Sequence, residues 1–145
     1  MKLDFMQQAI KLAKNTGHDV PIAAIIVKDN KIIAKAVNER EKKHNATLHA
    51  EMVAINEASK ILNNWHLDNC EIYVTLEPCP MCASAILQAR IKKIYFGAYD
   101  YLYGAFGTKC DMRKIMNYGA DVKGGILEEE CTKILKDYFE EVRNA

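Results

Sequence analysis

His49-Ala50-Glu51 and Pro78-Cys79-Pro80-Met81-Cys82 are the two stretches from which the rest of this 145-residue chain can be read. The segment between them reads as one helix and one strand. Thr47 offers a hydroxyl just before the helix, and Met52, Ile55, Ala58, Ser59 and Leu62 follow at spacings of three and four. Ile72-Tyr73-Val74-Thr75-Leu76 then has the β-branched and aromatic character of a buried strand. Glu77-Pro78 breaks that strand, and Pro80 falls where the first turn of a second helix tolerates proline. Both half-sites therefore open helices, one βα unit apart. A helix N-terminus favours thiolate through its macrodipole and free amides.

Two thiolates and an imidazole suit Zn²⁺, and three protein ligands leave a fourth tetrahedral position for water. His49, Cys79 and Cys82 are the candidate ligands, and Glu51 is the candidate carriage for that water's proton. A redox Cys-x-x-Cys pair would leave His49 and Glu51 without a role. A structural zinc would want a fourth protein ligand, and neither His44 nor His66 stands at a helix opening. Residues i and i+2 of a regular helix do not share a face. Glu51 and His49 can thus converge only if the metal sits beyond the helix end.

Half of the residues are hydrophobic, 27% are charged, and the net charge is +1. These are the proportions of an ordinary globule, and the total charge demands no polyanionic partner. Of five cysteines, Cys70, Cys110 and Cys131 are left over without a framework spacing. Cys70 and Cys131 read as buried thiols, a usage that fits a reducing cytoplasm. Asp4 interrupts any signal-like start, and the longest apolar run, Pro21 to Val27, is too short to span a bilayer. The expectation is a cytoplasmic protein with no membrane segment.

The remaining elements follow in order. Leu3, Met6, Ala9, Ile10 and Ala13 form a helical stripe, with Gly17 as its C-cap. Ile22 to Val27 and Ile32 to Val37 are strands joined at Asp29-Asn30, a hairpin signal. Asn38 to Ala46 is polar and irregular. A helix from Met81 to Arg90 precedes a strand from Ile94 to Phe96. Gly97 to Thr108 is a loop rich in aromatics, followed by a short helix, Met112 to Asn117, and a strand, Ala120 to Lys123. Glu128 to Arg143 closes the chain as a helix with three glutamates in its first turn. Residues 1–145 thus read as one domain, a three-layer α/β/α architecture around a central mixed sheet.

An H-x-E followed by P-C-x-x-C is the pattern of zinc nucleobase deaminases. With the element order, the chain resembles the cytidine deaminase superfamily, and most closely its bacterial tRNA-specific adenosine deaminases. The likeness runs through Val20-Pro21-Ile22-Ala23-Ala24, Asn38, Arg40-Glu41, the run Tyr73 to Ala83, Arg90-Ile91, Phe96-Gly97-Ala98, Asp100, Gly104-Ala105, Gly125-Ile126-Leu127 and Glu130-Cys131. It implies an α/β cytidine-deaminase-like fold that makes inosine from adenosine at the wobble position of a tRNA anticodon. His49, Cys79 and Cys82 would hold one Zn²⁺ per chain, and Glu51 would shuttle protons. Asn38 would recognise the purine, and Asp100 would touch the backbone or sugar beside the flipped base. The resemblance also implies a homodimer whose two subunits shape the anticodon-loop site.

The chain departs from that family in places. Asn45-Ala46-Thr47-Leu48 stands where Asp-Pro-Thr-Ala is usual, Tyr101-Leu102-Tyr103 follows Asp100, and the last helix ends acidic. Tyr101, Tyr103 and Phe106 suit stacking on unpaired bases, although Phe106, flanked by small residues, suits packing better. Arg40, Lys42, Lys43, Lys109, Arg113 and Lys114 are the candidate basic rim. Two other readings share the same zinc residues: a deaminase of free guanine, cytosine or a nucleoside, and a non-catalytic zinc protein. Glu51 speaks against the last, since a structural site needs no proton carrier.

Overall fold

The computed structural model describes residues 2–144, so residues 1 and 145, the ends of the expected domain, lie outside the described residues. The element order is α1 (Lys2–Ala13), β1 (Ala23–Lys28), β2 (Lys31–Val37), α2 (Arg40–Lys43), α3 (Ala50–Leu62), β3 (Cys70–Leu76), α4 (Pro80–Gln88), β4 (Lys93–Ala98), α5 (Met112–Met116), β5 (Asp121–Lys123) and α6 (Glu128–Arg143). The five strands form one sheet in the order β2-β1-β3-β4-β5. β1 pairs antiparallel with β2 and β3, whereas β3–β4 and β4–β5 are parallel. This is the expected mixed sheet, open and covered on both faces.

The hairpin turns at Asp29 and Asn30, both in the left-handed region (φ 50° and 62°), as a two-residue turn matched to strand twist requires. Side-chain alternation along β1 then divides the core. Ala24 and Ile26 pack with α3, α4 and α5, and Ala23, Ile25 and Val27 pack with α1 and α6. β3 and β4 do the same with Ile72 and Ile94 against Tyr73 and Tyr95. Each isoleucine so buried contributes about 1.5–3 kcal/mol.

Four local expectations are corrected. Helix α1 ends at Ala13, and Gly17 lies beyond it in the Thr16–Asp19 turn, so Gly17 is no C-cap. Thr47 does not cap α3; its hydroxyl donates to Asn45 Oδ1, and the N-cap residue is His49. The buried face of α3 is Ala50, Glu51, Ala54 and Ala58, while Met52, Ile55 and Leu62 are only half-buried. Alanine lets the α3 backbone approach the sheet closely, which outweighs the larger apolar stripe read from spacing. The polar segment after Asn38 also contains a short helix, α2, ended by His44 at φ 52°. Cys70 and Cys131 are buried as expected.

Candidate active site

His49 is extended (φ −68°, ψ 155°) and immediately precedes α3; Cys79 is extended (φ −75°, ψ 172°) and immediately precedes α4, with Pro80 opening that helix. Cys82 lies in the first turn of α4. The two helix N-termini thereby meet at the C-terminal end of β3. His49 Nδ1 stands 3.6 Å from Cys79 Sγ and 3.4 Å from Cys82 Sγ. Bonds of about 2.3 Å to sulfur and about 2.1 Å to nitrogen at tetrahedral angles place such atoms about 3.6 Å apart. The donor set therefore fits zinc in chemistry and spacing. Among the described residues it is the only such cluster, and neither His44 nor His66 belongs to it. Because His49 precedes the helix, the i and i+2 conflict with Glu51 disappears.

Electrostatics point the same way. Hydrogen bonding from the Cys82 thiol, with help from His49, brings the Cys79 thiol down to about 4. Its bond to Cys79, its burial and nearby Glu51 drive the Cys82 thiol far above its ordinary range. The bond to Cys79 raises His49 against the effect of burial. Without a cation the pair thus favours one thiolate. A divalent metal supplies the charge that allows both sulfurs to ionise.

Glu51 is 4% exposed. Burial pushes its carboxyl up to about 7, with the Cys79 charge adding to the effect. That is the range in which a carboxylate both takes and gives a proton near neutral pH.

His49, Glu51 and Cys79 line a cleft of about 180 Å³ whose other walls include Ile22, Asn38, Arg40, Asp100 and Tyr103, with Cys82 buried behind it. Asn38 is buried; its Nδ2 donates to Val20 O at 3.5 Å and its Oδ1 accepts from Arg40 N–H at 3.4 Å. Asp100 Oδ1 accepts from the N–H groups of Leu102 and Tyr103, each at 3.0 Å. The carboxylate thus shapes the loop that carries Tyr103 to the cleft. Tyr101 and Tyr103 are exposed, while Phe106 is 4% exposed and packs in the core. Of the basic rim, Arg40 lines the cleft. Arg113 instead makes a 2.8 Å ion pair with Asp111 and donates to Ala120 O.

Two buried carboxylates escaped the sequence reading. Asp19 accepts from the N–H groups of Glu41 (2.7 Å) and Lys42 (3.1 Å), anchoring α2 and with it the Arg40 wall. Glu77, 1% exposed, does the corresponding work for the opposite loop. A lone carboxylate bonded to backbone has no spacing signature. The only signal was the position of Glu77 directly before Pro78-Cys79.

Comparison with known proteins gives the same picture. Residues 1–98 match the model of the cytidine and deoxycytidylate deaminase zinc-binding region. The tRNA-specific adenosine deaminase of Bacillus subtilis is 44% identical over 96% of this chain and 89% of its own. A structure from a study of A-to-I editing by tRNA:A34 deaminases at the wobble position of transfer RNA superposes with a TM-score of 0.84. It is 37% identical and covers 91% of this chain and 99% of that one. Guanine deaminase from Bacillus subtilis is 41% identical over 66% of this chain and 63% of its own, with a TM-score of 0.64. The chain belongs to the zinc-binding cytidine and deoxycytidylate deaminase family and, within it, to the tRNA-specific adenosine deaminases.

Proposed function

We propose that this protein hydrolyses adenosine to inosine at the wobble position of a tRNA anticodon, releasing ammonia. The observation that carries the reading is the buried Glu51 carboxyl beside a His49–Cys79–Cys82 triad in a cleft that Asp100 and Tyr103 of the aromatic loop also line. The near full-length likeness to tRNA-specific adenosine deaminases supports the substrate.

His49 Nδ1 and the two sulfurs would hold the zinc. When bound, zinc lowers the pKa of a coordinated water toward about 7 and makes a nucleophile available at neutral pH. Glu51 accepts the proton that the water gives up. It delivers that proton to the ring nitrogen beside the amino-bearing carbon as the water oxygen bonds to that carbon. It then takes the proton of the new hydroxyl and passes it to the amine, so that the carbonyl forms as the C–N bond breaks and ammonia leaves. Such acid–base assistance contributes roughly 10² to 10⁴-fold. Asn38, fixed between Val20 and Arg40, offers its amide edge to the purine. Asp100 meets the sugar or backbone beside the base, which must leave its stack to reach the cleft.

Residues 1–145 act as one deaminase domain in the cytoplasm, a compartment that suits the free thiols of Cys70, Cys110 and Cys131. The active form is a homodimer, a reading supported by exposed Ile61, Trp65 and Ile115 on the α3–α5 side of the sheet. Sedimentation of the purified chain tests that assembly. The function itself is tested by incubating zinc-loaded protein with an anticodon stem-loop carrying adenosine at the wobble position. Inosine and ammonia are expected. Turnover of free guanine or cytosine with none on the stem-loop would replace the substrate and leave the zinc site standing.

A further inference from the structure

Glu77 is the hinge pin between the metal loop and the substrate loop. It ends the run from β3 into Pro78-Cys79, and among the described residues the hydrogen bonds its carboxylate accepts come from residues 100–108. Oε1 accepts from Asp100 N–H at 3.2 Å and from the Thr108 hydroxyl at 2.5 Å. Oε2 accepts from Phe106 N–H at 3.1 Å and Thr108 N–H at 3.2 Å. Beside these, Ala105 N–H donates to Pro78 O at 2.9 Å. Gly104 closes against the same point: a Cβ there would collide with both Asp100 O and the Glu77 carboxyl. Four donors converging on a buried carboxylate fix the path of a loop as firmly as a strand pairing would.

We propose that Glu77 is a positioning residue for substrate binding: it sets the place of Asp100, and through it the Asp100–Tyr103 turn at the cleft mouth. The proposal rests on the reading above, in which Asp100 and the following turn meet the tRNA. The division of donors between the two oxygens makes it selective. Glutamine at position 77 has one oxygen and one NH₂ group. Two N–H groups point at the Oε2 position, so the amide oxygen belongs there and the NH₂ falls at the Oε1 position. The Thr108 hydroxyl can turn round and accept from it, but Asp100 N–H cannot. Glu77→Gln therefore cuts the Asp100 link and keeps those to Phe106 and Thr108.

The test compares the zinc-loaded full chain with Glu77→Gln, Gly104→Ala, Asp100→Ala and the Glu77→Gln/Asp100→Ala double variant. Zinc per chain, amide hydrogen exchange, and kcat and KM on the anticodon stem-loop are measured for each. Glu77→Gln should keep its zinc, and exchange at the Asp100 amide should rise at least about tenfold while Phe106 and Thr108 stay protected. KM should rise at least about tenfold with kcat changed less than about threefold, and the double variant should be no worse than Asp100→Ala. Gly104→Ala keeps the carboxylate's charge but forces it and Asp100 apart, so it should reproduce the faster Asp100 exchange and the raised KM even if Glu77→Gln does not fold. Loss of zinc with a fallen kcat and an unmoved KM would overturn the proposal, as would additive effects in the double variant. Faster Asp100 exchange without a change in KM would overturn it too. A wild-type enzyme inactive on the stem-loop would refute the tRNA reading instead, and the exchange rates would still decide whether Glu77 places Asp100.

Discussion

Gly97 of β4 runs directly beneath Cys131 of α6: a Cβ on Gly97 would lie 2.8 Å from the Cys131 Cβ, 2.9 Å from Thr75 O, and in collision with the Cys131 sulfur. Both residues are buried, so α6 rests on the sheet through this bare backbone. Gly97→Ala should therefore lower stability by about 1–3 kcal/mol, the usual cost of overfilling a packed core. Urea unfolding of the two proteins reads the difference. An unchanged midpoint would mean that α6 docks elsewhere.

Removing one sulfur tests the metal set. Cys82→Ala should bring zinc per chain from about one to near zero after dialysis, because two remaining ligands hold zinc poorly. Metal analysis by mass spectrometry checks this directly. Stoichiometric zinc in the variant would exclude Cys82 as a ligand.

Glu51→Gln separates proton transfer from metal binding. The amide is close in shape but cannot cycle a proton, so zinc content should hold while turnover falls at least ~10²-fold. Single-turnover deamination at saturating protein gives the chemical step alone. If metal were lost with activity, Glu51 would be a ligand and not a proton carrier.

Tyr101 is 75% exposed, which frees it for contact with RNA. One base stacked on its ring is worth roughly 1–3 kcal/mol. Tyr101→Ala should weaken stem-loop binding by about 5- to 150-fold, with thermal stability and zinc content unchanged. A fall in melting temperature, or dissociation of a dimer, would assign the ring to packing.

Binding to a polyanion must also depend on salt. Each phosphate neutralised on single-stranded RNA adds about −0.7 to the slope of log affinity against log salt. Lys42 and Lys43 are exposed on α2, beside the Arg40 wall of the cleft. Lys42→Glu with Lys43→Glu should weaken binding and flatten that slope by about 1.4 if each lysine meets one phosphate. Titrations at several salt concentrations decide the matter, and an unchanged slope would remove both lysines from the interface.

Chemistry that recurs at fixed spacing was legible before any coordinates. His49, Glu51, Cys79 and Cys82 could be read because metal ligation restricts residue type. Asp29-Asn30 could be read because few residues accept two left-handed positions in succession. The α3 seam was misread because Ala50, Ala54 and Ala58 are small, and close approach of backbones leaves little mark in a hydrophobicity pattern. Asp19 and Glu77 were missed for a different reason: their partners are backbone N–H groups, which every residue but proline possesses. Arg113 carried a charge that suited a rim, and only the fold turned it to Asp111.

The strand order has a bearing on endurance. β3 is the middle of five strands, and Pro78, Cys79 and the start of α4 follow directly from its end. Peeling from either side must remove two strands before reaching it: β2 and β1, or three-residue β5 and then β4. Edge strands open at lower free energy than central ones. The sulfur donors are therefore mounted on the strand that lets go last, and partial melting of either edge leaves them standing where the metal needs them.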